Sequence, residues 1–274
     1  MKTIQLNPAL RIFFAIVISL VGIGVLYWAV KINDSKSVAI LSVLTSWIGL
    51  GYLVVKYTLW RELCVSLILF TIVAGLLGEV PRLIVLNETI RNLYFHVTMW
   101  ISMIILFTIS VYCSIKYLSK EDPKWDIYAE GASEAGMVLG ILGLITGMIW
   151  AQFTWGDFWS NDPKQVYSAI GLLLYFGYFL LRGSFDDEIK KARIASVYNV
   201  FAFPSLIVLI YVLPRMMPSL HPGQEGNPAF SQYDLSDDMR VIFYPAIIGW
   251  TLLAMWIASI RIRTKLIELT CINQ

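Results

Sequence analysis

Eight apolar blocks divide this chain almost end to end, at about residues 9–30, 38–56, 62–79, 92–118, 133–153, 165–182, 194–213 and 241–260. Each is close to the ~20 mainly apolar residues that a helix needs to cross the hydrocarbon of a bilayer. A water-soluble core has no use for so many long apolar runs. Of the 274 residues 58% are hydrophobic and only 15% charged, well below the roughly 25% charge of a soluble domain. The sequence therefore predicts an all-α, polytopic transmembrane bundle of eight spans.

The basic residues set its orientation. With the N-terminus on the cytoplasmic side, fourteen lysines and arginines fall on that side and seven on the other, out of 21. Cytoplasmic loops carry such an excess, so both termini are expected inside and the bundle in a bacterial inner membrane. The first apolar run, Ile12 to Val30, exceeds the ~7–15 residues of a signal peptide and lacks a small-residue cleavage site, so it is read as a retained span. The net charge of +2 is scattered among apolar segments and gives no nucleic-acid footprint. The run from Ser184 to Arg193 has mixed charge and is expected to be a solvated loop.

Catalytic signatures are missing from the sequence. Cys64, Cys113 and Cys271 lie far apart, without a C-x-x-C pair for thiol exchange or a C-x-x-C-H for covalent haem attachment. There is no phosphate-binding G-x-x-x-x-G-K-[ST], and bond-making by the chain itself is not expected.

The chain has two histidines, and the predicted topology puts both near the outer surface. His96 lies early in the fourth span, His221 just beyond the seventh. A single interfacial histidine is ordinarily only an amphipathic residue. Two at a common depth could ligate one haem iron axially, imidazole being a strong iron ligand. Between them, also on the outer side, runs WAQFTWGDFWSNDPK, residues 150–164. Its flat aromatic side chains could stack on a porphyrin, although tryptophan also collects at membrane interfaces for general reasons. Asp162 before Pro163 reads as a helix N-cap with proline at the first helical position.

The segment from Trp155 to Lys164 resembles the tryptophan-rich WWD signature of the haem-handling proteins of cytochrome c biogenesis, most of all the haem exporter C (CcmC) family. The resemblance spans roughly residues 62–265, six spans with the signature between the third and fourth of them. It implies non-covalent haem b at the outer, periplasmic face, with His96 and His221 as axial ligands and Trp155, Gly156, Trp159 and Asp162 in the platform. Arg91 is a candidate partner for a haem propionate, since guanidinium pairs carboxylates bidentately; an interfacial arginine that merely snorkels is the alternative. The resemblance further implies delivery to a membrane-anchored periplasmic haem chaperone (CcmE-like), alongside ABC transporter subunits (CcmA/CcmB-like) and a small single-span subunit (CcmD-like).

Two features depart from the family pattern. Asn161 stands where a second tryptophan usually precedes the aspartate, and the first two spans lie outside the six-span core. Residues 1–57 are accordingly expected to form an accessory helical pair, and 58–274 the haem-handling domain. The related system II synthetase component CcsA has further histidines within its membrane helices, for which this chain has none to spare. A b-type electron carrier would stack histidine pairs across the bilayer, and a pure scaffold would need neither histidine.

Overall fold

Within hydrocarbon, backbone N–H and C=O groups find no water, so a spanning segment must satisfy them internally as a helix. The computed structural model describes residues 6–31, 36–82, 86–221 and 235–272, and its regular elements are all helical. Eight α-helices fall among the described residues: α1 (Pro8–Lys31), α2 (Lys36–Tyr57), α3 (Trp60–Leu77), α4 (Leu93–Lys120), α5 (Pro123–Trp155), α6 (Pro163–Gly183), α7 (Glu188–Ile207) and α8 (Asp237–Ile272). Among the described residues seven segments are long and apolar enough to cross a membrane, and α2 adds the shorter apolar stretch Leu41–Tyr57. Large apolar side chains such as Leu20, Leu69, Leu173 and Phe201 point outward, where lipid rather than water solvates them. The protein is a multi-pass membrane protein.

Local chemistry sets the helix ends. α5, α6 and α7 each begin behind an aspartate whose side chain accepts a backbone N–H of the first turn: Asp122, Asp162 and Asp187. Such caps satisfy donors that a helix start leaves unpaired. The Asp187 cap corrects the expected solvated loop, because residues 188–193 already belong to α7. α5 and α8 also outrun their apolar blocks, with 33 and 36 residues, or about 50 Å each at 1.5 Å per residue. Hydropathy alone missed these extensions because they are charged.

The chain forms two compact units, one of residues up to Thr98 with Leu235–Leu253, the other of Met99–Asp234 with Ala254–Gln274. In the first, Ile18 of α1, Val54 of α2 and Leu59, Leu63 and Leu67 at the start of α3 share one apolar cluster. Arg11 then ties α1 to the elbow between α2 and α3. Its guanidinium donates to Glu62 Oε1 (2.6 Å), to Thr58 Oγ1 (3.2 Å) and to the Thr58 carbonyl (2.6 Å). Thr58 itself has φ +55°, an unfavourable value for a β-branched residue, and the arginine holds its carbonyl in place.

In the second unit α5 is lined with small residues that admit close neighbours, as in other membrane helix packings. A Cβ on Gly136 would lie 2.8 Å from two ring atoms of Phe107. That ring cannot retreat easily, since it stacks on Tyr175 at 3.5 Å between centroids. A polar chain crosses the same interior: Tyr175 Oη donates to Asn199 Oδ1 (3.1 Å), and Asn199 Nδ2 donates to Ser110 (2.7 Å) and Ser114 (2.9 Å). Ser110 in turn meets Ser133 at 2.6 Å.

An ion cluster binds the charged extension of α5 to α6 and α8. Arg182 meets Asp126 in a fork of 2.7 and 2.8 Å and reaches Glu130 at 3.0 Å. Lys265 also holds Glu130 at 2.6 Å, and Arg261 pairs with Glu134 at 2.7 and 3.0 Å. The three cations and three carboxylates balance.

Three outcomes follow. Gly136→Ala should destabilise the protein by about 1–3 kcal/mol through overpacking, read as a lower melting temperature in detergent. Arg182, only 7% exposed in its side chain, should cost about 3–5 kcal/mol when replaced by alanine, because Asp126 is left buried without its cation. Arg261→Ala, at a half-exposed pair, should cost less than about 1 kcal/mol.

Candidate functional site

The loop from α5 to α6 is short because both of its ends are capped. Gly156 closes α5 with φ +90°, a left-handed position suited to glycine, and its N–H returns to the Gln152 carbonyl at 3.2 Å. Gln152 Nε2 donates to the Gly156 carbonyl at 2.9 Å. At the other end Asp162 caps α6, accepting the Lys164 N–H at 2.9 Å. Between the caps, Gln165 Oε1 accepts from both the N–H and the hydroxyl of Ser160 at 3.0 Å, and its Nε2 donates to the Phe158 carbonyl at 3.2 Å. The loop is thus braced from inside and leaves Phe158 and Trp159 exposed.

Asn161 has a local reason to replace a tryptophan. It sits at φ +56°, a conformation asparagine tolerates better than most residues. Its Oδ1 accepts the Trp159 indole N–H at 2.9 Å, so it aims the neighbouring ring instead of adding one.

Asp162 does more than cap. Its carboxylate also accepts the Ser219 hydroxyl (3.0 Å), the Leu220 N–H (2.6 Å) and lies 2.9 Å from His221 Nδ1. The His221 ring packs against Trp155 edge-on, 4.7 Å between centroids at 72°. The second unit therefore brings Trp155, Asp162 and His221 together, with Gly156 and Trp159 in the same loop. The end of α7 carries the chain into this contact. After Ile207 the helix widens into a π-turn, Val208–Val212, then tightens into a 3₁₀ turn, Leu213–Met216. Such irregular turns recur at functional sites. Residues 222–234, which follow His221, lie outside the described residues.

Asp162 is 4% exposed. Burial pushes its carboxyl upward, but the hydrogen bonds from His221, Leu220 and Ser219 outweigh that and hold it far below the usual carboxylate range.

His96 and Arg91 belong to the first unit. His96 lies in the opening turn of α4, half-buried. Arg91 ends a 3₁₀ helix, Asn87–Asn92. It donates to the Gly75 carbonyl (3.1 Å) and to that of Gly78, and pairs with Glu88 at 2.9 Å. It therefore clamps the C-terminal end of α3, a role that the sequence did not suggest.

Ser219 and Gln165 were not singled out in advance, and Asn161 only as a departure from the family pattern. Only Gln165 had a legible signal, three residues after the cap, the spacing of a capping box. Among the described residues no group of three or more His, Cys, Asp or Glu side chains could hold a bare metal ion.

These observations define a class: a polytopic helical membrane protein with an imidazole braced by a buried carboxylate beside a tryptophan-bearing loop. The chain belongs to the heme exporter protein C (CcmC) family, whose profile matches residues 47–273. It is similar to the heme exporter protein C of Paracoccus denitrificans, 25% identical over 66% of this chain and 74% of the relative. The Rhodobacter capsulatus protein of that name is 22% identical over the same shares. A shorter stretch, 28% of this chain and 23% of the relative, is 51% identical to the cytochrome c biogenesis protein CcsA of Prochlorococcus marinus subsp. pastoris.

The acid behaviour of Asp162 can be checked. Its folded-state pKa lies below the unfolded value of about 3.9, so its contribution to stability is complete above that value and is lost only as the pH falls through the lower one. The infrared difference between wild type and Asp162→Asn should show no protonated carboxyl band from Asp162 at about pH 4. A band there would contradict the hydrogen-bonded geometry.

Proposed function

We propose that this chain handles haem in cytochrome c biogenesis, holding haem b at the outer membrane surface and passing it on without making or breaking its bonds. His96 and His221 are the axial ligands in this reading, and the loop of Trp155, Gly156 and Trp159 is the platform. The observation that carries it is the setting of His221. A histidine that ligates a metal typically gives its other ring N–H to a carboxylate, and Asp162 stands 2.9 Å from Nδ1. The side chain keeps 24% exposure, so the ring is not sealed inside the protein. Family membership and the two Heme exporter protein C relatives support the same cargo.

Counting crossings supports a common side for the two histidines. Four spans, α4 to α7, separate the start of α4 from the end of α7, and an even number of crossings returns the chain to the same surface. With the excess of lysine and arginine inside, that surface is periplasmic in a bacterial inner membrane. The partners in this reading are a CcmE-like haem chaperone, CcmA/CcmB-like transporter subunits and a CcmD-like single-span subunit. Arg91 enters as a guanidinium able to exchange the Glu88 carboxylate for a propionate. Residues 1–57 act as an accessory pair, with the haem-handling domain at 58–274.

Release requires ligands that exchange and a porphyrin edge that stays open. Exposed Phe158 and Trp159 suit a stacking surface that a chaperone can approach. The test is the absorption spectrum of the purified, haem-loaded protein beside His96→Ala and His221→Ala. Each substitution should remove the six-coordinate low-spin spectrum and most of the bound haem. An unchanged Soret band in both variants would overturn the ligand assignment.

A further inference from the structure

We infer that Asp162 is a positioning residue for His221, rather than part of the surface that touches the porphyrin. The inference rests on the haem-ligand reading above and goes beyond it, because it assigns the aspartate a task on the imidazole itself.

The geometry turns the carboxylate inward, onto the protein's own donors. Oδ1 accepts from Lys164 N–H, Ser219 hydroxyl and His221 Nδ1–H, and Oδ2 accepts the Leu220 N–H. The side chain is 1% exposed. An ionised carboxylate only accepts hydrogen bonds, so the proton of the imidazole contact sits on Nδ1. The tautomer is thereby fixed, and the lone pair that remains belongs to Nε2. Trp155 against the ring edge limits rotation about the side-chain bonds.

The backbone is held by the same group. Asp162 takes donors from residues 219, 220 and 221 in succession, and the His221 N–H closes back onto Ser219 Oγ at 3.2 Å. A cap at the start of α6 is thus also a socket for the segment that follows α7. A donor bond of this kind makes the imidazole more basic and strengthens its bond to a metal; losing such a partner typically costs about 10–100-fold in metal affinity.

The test replaces the side chain and keeps the socket. Full-length His221→Gly is titrated with haem in the presence of either imidazole or 1-methylimidazole, which lacks the ring N–H. Imidazole can donate to Asp162 and should restore haem binding about 10–100-fold better than its methylated analogue. The advantage should vanish in His221→Gly/Asp162→Asn. Equal restoration by both bases with Asp162 present would overturn the positioning role while leaving the ligand role intact. If His221→Gly binds haem with the wild-type spectrum and no added base, the ligand reading itself fails.

A second measurement decides the matter if neither base refills the site. The haem reduction potential is compared between wild type and Asp162→Asn, each with His221 present. Loss of the carboxylate should raise the potential, since a less basic imidazole favours ferric iron less. An unchanged potential with haem still bound through His221 would overturn the proposal.

Discussion

A buried carboxylate that accepts four hydrogen bonds cannot shift without releasing all four donors. At Asp162 those donors come from the first turn of α6 and from three consecutive residues beyond α7. The loop between α5 and α6 owes its shape to that convergence. Trp155 meets His221 because α5 ends at Gly156, and His221 is where it is because Asp162 holds residues 219–221. The cost of burying the charge is met by the donors themselves.

The surrounding bundle solves a different problem by the same means. Lipid gives helices no hydrophobic reason to pair, so shape and polar contacts must do it. In the second unit, small residues along α5 admit Phe107, and the chain from Tyr175 through Asn199 to Ser110 and Ser133 satisfies its polar atoms within the protein. Arg182 extends this logic to charge, as one buried cation between two carboxylates.

The helices were legible because hydrocarbon thickness imposes a length on every span, and the Asp162–Pro163 cap because its chemistry is local. What hydropathy could not see were the contacts between distant residues. The charged start of α5 and end of α8 read as ends of spans, yet Glu130, Glu134, Arg261 and Lys265 complete one another across 127 to 135 positions of sequence. Arg91 read as a partner for a propionate or as a snorkelling interfacial arginine, and no pattern announced that its guanidinium also closes the end of α3 through backbone carbonyls. Trp155, Asp162 and His221 were all singled out, but only the fold sets the aspartate and the tryptophan against the histidine. Asn161, a departure from the family pattern, has a backbone explanation in its positive φ.

The wide turn at Val208–Val212 has a consequence for how this region tolerates change. A π-turn holds one residue more than the α-helical turn it replaces, and each residue of a helix turns the chain by about 100°. Removing a single residue there would let α7 run on as a regular helix with its far end pointing the same way, because the wide turn takes up its extra residue within one revolution. Removing a second would swing that end by about 100°. The turn is thus a place where the chain can absorb the loss of one residue.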